Sequence, residues 1–244
     1  MRYLLNTIPL TLLPALILVV LLGGATGCGE ADNPVQVMAD KTYVPPIPTT
    51  VDGIARWHNN RVEEMVQRAQ VSNRPSLPDL ETTLAEWGCL EQVDLASARE
   101  DWHAIRRFLE RGARPEELAN LVDRSLERVA AEPDLSPDFL GQLRRCMDQV
   151  LSDDRSRLSD SVDQLAAMAR ASHSPREKEL AGILLGSTQR SVMGRRLPPD
   201  HPLHPLIEIY DSVGNFVSGP VVGAFCSSCA EIMICISEMI WPFW

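Results

Sequence analysis

The densest group of reactive side chains lies near the C-terminus, where Cys226, Cys229 and Cys235 fall within ten residues. Cys226-Ser227-Ser228-Cys229 has the C-x-x-C spacing, and a thiol at a helix N-terminus in that setting ionises easily and attacks disulfides. Redox enzymes carry the motif beside a βαβ pattern, which this chain lacks, so a structural disulfide or a packed pair of small side chains is expected instead. Three thiols also fall one ligand short of a structural zinc site. His201 and His204, in His-Pro-Leu-His-Pro, would share one side of a polyproline helix. Two imidazoles do not complete a zinc site, and a rigid proline hinge is the simpler expectation. His58, His103 and His173 stand apart in different segments and read as surface or satisfied core residues. Glu63, Glu64 and His103 would serve an enzyme only if folding brought them together. The sequence has no phosphate-binding glycine loop, Gly-x-Ser-x-Gly elbow or His-Glu-x-x-His pair. It therefore leans away from an enzyme, and no cofactor or metal is expected.

Cys28 supports a different chemistry. From Tyr3 to Gly27 no side chain is charged, the run Leu16 to Leu22 is apolar, and Arg2 supplies a positive N-terminal region, the composition of an export signal. Ala25, Thr26 and Gly27 then lead directly into the cysteine. This stretch resembles the lipobox of bacterial lipoproteins, with Ala25 where that family prefers Leu. The resemblance implies that residues 1–27 are removed and that Cys28 is acylated, with palmitate among the acyl chains. It also implies an exported, membrane-anchored envelope protein. Gly29, where an Asp would favour inner-membrane retention, points toward the outer membrane.

The chain holds 33 acidic against 23 basic residues, a net charge of −10. Loss of residues 1–27 would remove only Arg2 from the charged set, so the exported part is more acidic still. Such a chain repels phosphate backbones, and no nucleic-acid partner is expected. Export leads to compartments where disulfides persist. With Cys28 lipidated, Cys89 and Cys146 are expected to bridge within the helical body, leaving Cys226, Cys229 and Cys235 to the tail.

Five segments must position these groups. Residues 1–27 form the signal, and 28–50, with Pro34, Pro45, Pro46 and Pro48, read as an extended tether. Residues 51–194 form one helical domain. Ser97-Ala-Arg-Glu100 and Ser174-Pro-Arg-Glu177 fit the capping box, Pro78, Pro115, Pro137 and Pro175 suit first turns, and Gly88, Gly112 and Gly194 suit helix stops. Between these marks apolar residues recur at helical spacing, as in Leu118, Leu121, Val122, Leu126 and Val129. Helices are predicted near 52–71, 78–88, 97–111, 115–131, 137–151, 154–171 and 175–193. Glu64 with Arg68 and Asp153 with Arg157 should form i,i+4 pairs. Gly182-Ile-Leu-Leu-Gly186 and Gly219-Pro-Val-Val-Gly223 have the small-xxx-small spacing that lets helices approach closely. The fold class is all-α, a helical bundle or a short stack of helical hairpins.

Residues 195–205, with Pro198, Pro199, Pro202 and Pro205, form a hinge, and 206–244 an apolar C-terminal segment. From Ser212 to Trp244 only Glu231 and Glu238 are charged. A helix is predicted near 225–240, about 24 Å long and too short for a hydrocarbon core of roughly 30 Å. Phe225, Cys229, Ile232, Ile236, Met239 and Ile240 would occupy one face, with Ser227, Ser228, Glu231 and Glu238 opposite. Phe225, Ile232, Ile236, Ile240 and Trp241, with the two glutamates, are the candidate contacts to a partner or membrane. The expected protein is a lipid-anchored envelope protein that acts through protein or membrane contacts. The alternatives are a lipoprotein toxin whose tail enters a target bilayer, as the helical hairpins of colicin-like proteins do, and an enzyme of another kind. At neutral pH the tail helix is expected to lie buried against the protein's own body or a partner, closing the core with both carboxylates in water. In acid, protonation of Glu231 and Glu238 would ease its entry into lipid.

Overall fold

A computed structural model describes residues 47–71, 77–111, 115–152, 154–192, 209, 212–214, 216 and 219–240. The described residues form an all-α bundle without strands. The elements are α1 (Val51–Val71), α2 (Leu80–Glu86), a 3-10 turn at Leu90–Gln92, α3 (Leu95–Arg111) and α4 (Pro115–Ala130). They continue through α5 (Pro137–Leu151), α6 (Arg155–Ala171), α7 (Pro175–Val192) and α8 (Pro220–Ile240). Helix α1 packs most extensively on α7 and next on α8, while α6 joins α5 to α7. The first and last of the described helices thus meet at the centre, and α2, α3 and α4 to α6 complete the body.

The boundaries follow from local chemistry. Pro115, Pro137 and Pro175 each open a helix, where their missing N–H and fixed φ cost nothing. Ser136 caps α5 by accepting from Phe139 N–H at 3.3 Å. Pro78 does not open α2. Asp79 caps that helix, accepting from Thr82 N–H at 2.9 Å, and the first helical residue is Leu80. The helix stops at Gly88, whose φ of 65° lets Cys89 N–H reach back to Leu84 O at 2.9 Å. This is the left-handed exit that glycine favours.

Both expected capping boxes are corrected. Helix α3 starts at Leu95, with Asp94 accepting from Ala96 N–H at 3.1 Å and from the Ser97 hydroxyl at 2.8 Å. Ser97 is therefore a donor within the first turn. At α7, Ser174 Oγ does accept from Glu177 N–H at 3.2 Å. The Glu177 carboxylate turns away to α5, where it accepts from the Ser136 N–H and hydroxyl, both at 2.8 Å. One buried carboxylate thereby joins the starts of two helices. Glu64 pairs with Arg68 as expected, at 2.5 Å. Arg157 pairs with Asp154 at 3.6 Å, and Asp153 lies outside the described residues.

The span expected as tether ends earlier than residue 50. Ile47 packs against the core, and the Thr50 hydroxyl accepts from Gly53 N–H at 3.2 Å at the start of α1. The C-terminal helix is also longer than expected, 21 residues from Pro220, or about 31 Å at 1.5 Å per residue. Its length alone would thus reach across a bilayer. Even so, among the described residues no helix is long and apolar enough to cross a membrane.

The expected faces of α8 are corrected as well. Every residue from Pro220 to Ala230 is buried, with Cys226, Ser227, Ser228 and Cys229 fully enclosed. Ser228 satisfies its hydroxyl within the helix by donating to Ala224 O at 2.7 Å, which is how a serine tolerates an apolar interior. The stretch Pro220 to Ala230 of α8 is therefore a central strut enclosed by the chain itself.

Candidate functional site

The seam between α1, α7 and α8 brings together the least expected side chains. It depends on two glycines spaced one turn apart on α7. A methyl on Gly182 would lie 2.8 Å from Ile54 Cβ and 2.9 Å from Val51 O, and one on Gly186 would lie 3.0 Å from Ala55 O and 3.1 Å from His58 Nδ1. Backbone thus meets backbone along the α1/α7 crossing. His58 is buried there, with Nδ1 3.0 Å from Asn59 Oδ1.

Gly182, Gly186 and Arg190 are successive i,i+4 positions, so the glycine stripe ends on a guanidinium. Arg190 forks onto Glu231 of α8, through Nε to Oε1 and through Nη2 to Oε2 at 2.7 Å. The same Nη2 donates to Glu63 Oε2 of α1 at 3.0 Å. The side-chain exposures are 18% for Arg190, 12% for Glu231 and 32% for Glu63, so the cluster is largely removed from water. Burial disfavours the charged guanidinium, but its bonds to Glu231 and Glu63 outweigh that and raise its pKa above the ordinary arginine value. Two carboxylates share one cation. Among the described residues the buried hydroxyls of Ser187 and Thr188 on α7, of Ser227 on α8 and of Ser212 lack hydrogen-bond partners.

No disulfide forms among the described residues. Cys89, Cys146 and Cys229 are free and buried, which corrects the expected Cys89–Cys146 disulfide, and Cys226 is buried beside Cys229. Cys89 lies in the turn after α2, with its Sγ 3.3 Å from Trp87 O. Cys146 lies on α5, whose partners are α4 and α6. Different neighbours enclose the two thiols. Burial pushes Cys146 up to about 12, and burial together with the adjacent Cys226 raises Cys229 well above the ordinary thiol value. Cys226 also sits two turns inside α8, away from the helix start that would activate it. Cys229 is therefore a neutral packing group, and Cys226 lies buried beside it.

The remaining expected residues are dispersed. Glu63 serves Arg190, while Glu64 pairs with Arg61 at 3.0 Å and with Arg68. His103 is exposed on α3, and His173 is exposed just before α7. The three side chains proposed as an enzymatic set thus enter separate surroundings. Phe225 stacks edge-on against Trp102, with ring centroids 4.8 Å apart, and Ile232 is buried. Ile236, Ile240 and Glu238 lie on α8, but their side chains are outside the described residues, as are Cys28, Cys235, His201, His204 and Trp241. No group of three or more potential metal ligands occurs among the described residues.

Arg190 was missed from sequence. His58 is the satisfied core residue that was one of its two readings, and Glu177 was assigned a local cap instead of its bonds to Ser136. For Arg190 a signal existed, since a basic residue stands one turn beyond the Gly182/Gly186 stripe on a helix with an otherwise apolar face. No protein-family model, curated protein or solved structure matches this chain.

Proposed function

We propose that this is a lipid-anchored helical protein of a bacterial envelope, held at the membrane through Cys28 and acting through protein or membrane contacts. The observation that carries this is the uncharged stretch Tyr3 to Gly27 ending in Ala25-Thr26-Gly27-Cys28, followed by a proline-containing spacer and then a folded body. The structure supports the division of labour. Among the described residues Val71 is the one exposed large hydrophobic side chain, at 85%, so the described surface offers little apolar area for holding a bilayer. An anchor would then come from the lipid. Metabolic labelling with a fatty-acid probe should mark the wild type and not Cys28→Ser. An unlabelled wild type overturns the proposal.

A second activity is favoured by one specific finding, the enclosure of α8 on every side from Pro220 to Ala230. The enclosed stretch is apolar, so the body would act as a carrier that shields a segment able to enter the face of a bilayer, although among the described residues no helix is long and apolar enough to cross one. Exposure to vesicles carrying a photoactivatable phospholipid should then label residues 220–240. Absence of label excludes insertion.

A further inference from the structure

We infer that Arg190 is a clasp that holds α8 inside the bundle, so that release of this helix is controlled at one charge cluster. Its use as a gate to insertion rests on the membrane activity proposed above. Apolar contacts cannot perform this control, because lipid tails are as apolar as leucine and an apolar helix loses little by exchanging one surrounding for the other. The hold that distinguishes the protein core from any other apolar medium has to be polar. Among the described side chains of α8, Glu231 is the single charged one, and both of its oxygens meet Arg190. Arg190 belongs to α7 and at the same time binds Glu63 of α1. One guanidinium therefore ties together three helices, including the two on which α1 packs most extensively. Arg106 of α3 is a further cation near α8, acting on Cys229. It is not the ion-pair partner of Glu231.

Loss of the cation undoes the hold. Glu231 accepts from Arg190 through both oxygens and its side chain is only 12% exposed, so withdrawing the guanidinium leaves a buried charge on α8 without the partner that ties it to α7, which is strongly unfavourable. The glycine stripe that seats α7 on α1 is untouched by this, since Gly186 and Gly182 contact α1 one and two turns away. Opening at Arg190 would free α8 and leave the α1/α7 crossing in place.

Cys226 and Cys229 supply an internal reporter, since both are fully buried on α8. Cys146, buried on α5, reports on the rest of the body. In the full chain, N-ethylmaleimide modification mapped by peptide mass should be about a hundredfold faster at Cys226 and Cys229 in Arg190→Met than in wild type, a scale set by removing one member of a buried ion pair. Cys146 should stay protected. Adding Glu63→Gln and Glu231→Gln to Arg190→Met removes all three charges and should restore protection of α8. Unchanged rates in Arg190→Met overturn the inference, as does equal exposure of Cys146, which would make Arg190 a support of the whole fold. Failure of the triple variant to reclose α8 also overturns it. The same proteins mixed with phosphatidylglycerol vesicles carrying the photoactivatable lipid test the gate separately. Label on 220–240 in Arg190→Met supports both claims, and selective thiol exposure without lipid label leaves the clasp standing while removing the membrane activity.

Discussion

Gly182→Ala should destabilise this protein, whereas the same substitution at Gly141 should stabilise it. Both glycines are helical, so each replacement regains the backbone propensity of alanine, about 0.8–1 kcal/mol. At Gly141 nothing lies within 4 Å of the new methyl, and that gain should appear nearly whole. At Gly182 the methyl would sit 2.8 Å from Ile54 Cβ, 2.9 Å from Ile54 Cγ2 and 2.9 Å from Val51 O. The carbonyl belongs to the first turn of α1 and cannot rotate aside, so α1 and α7 must separate. Over-packing of this kind costs about 1–3 kcal/mol, which leaves Gly182→Ala less stable than wild type by up to about 2 kcal/mol. The difference between the two variants isolates the clash. Urea titration at fixed temperature measures it, with an unchanged slope showing that both unfold as wild type does. In thermal scans each kcal/mol corresponds to about 2–4 °C for a chain of this size. A midpoint for Gly182→Ala that rises alongside Gly141→Ala would show that the two backbones are not in contact.

Glu177 should make stability pH-dependent. Burial alone would raise its pKa, but hydrogen bonds from Ser172 and from the N–H and hydroxyl of Ser136 bring it below the ordinary 4.5. Its contribution is therefore complete above about pH 4.5 and is lost as pH falls through the lower folded value. Glu177→Gln should cost about 1–3 kcal/mol at neutral pH and progressively less in acid, as read from urea midpoints. A cost that grows in acid would contradict this sign. Asp94→Ala should lower the melting temperature more than Ser97→Ala, because Asp94 supplies the cap acceptors of α3; the reverse order would restore Ser97 as the cap. Denaturing alkylation without reductant should modify Cys89, Cys146, Cys226 and Cys229, and a Cys89–Cys146 linked peptide would contradict the free thiols. In the native state Cys146, pushed up to about 12, should hold about a thousandfold less thiolate than an ordinary thiol with a pKa near 9. Its iodoacetamide modification should be correspondingly slow, and a rate near that of a free thiol would refute its burial.

The helices of the body were legible because their punctuation is local. Prolines 115, 137 and 175 mark three starts to the residue, and the apolar spacing from Leu118 to Val129 marks a buried face that is observed as such. What depends on contacts far apart in the chain was not legible. Ser97 and Asp94 are both acceptable caps by type, and the choice is made by which side chain meets the free N–H groups. Glu177 satisfies the capping-box pattern, yet Ser136, 41 residues earlier, captures its carboxylate. The cysteine pairing failed for the same reason, since spacing does not say which helices become neighbours. In α8 the serines and glutamates were assigned to water by polarity. An internal carbonyl takes the proton of Ser228, and a guanidinium 41 residues away takes Glu231.

The placement of α8 at the centre of the bundle is the claim on which the clasp and the membrane activity both depend. Hydrogen exchange of the full chain at neutral pH, resolved for residues 220–232, tests it most directly. Amides of this stretch should be among the slowest to exchange, as expected for a helix enclosed on all sides. Exchange as fast as that of the exposed turn at Ala131–Asp134 would place α8 outside the core and contradict the account.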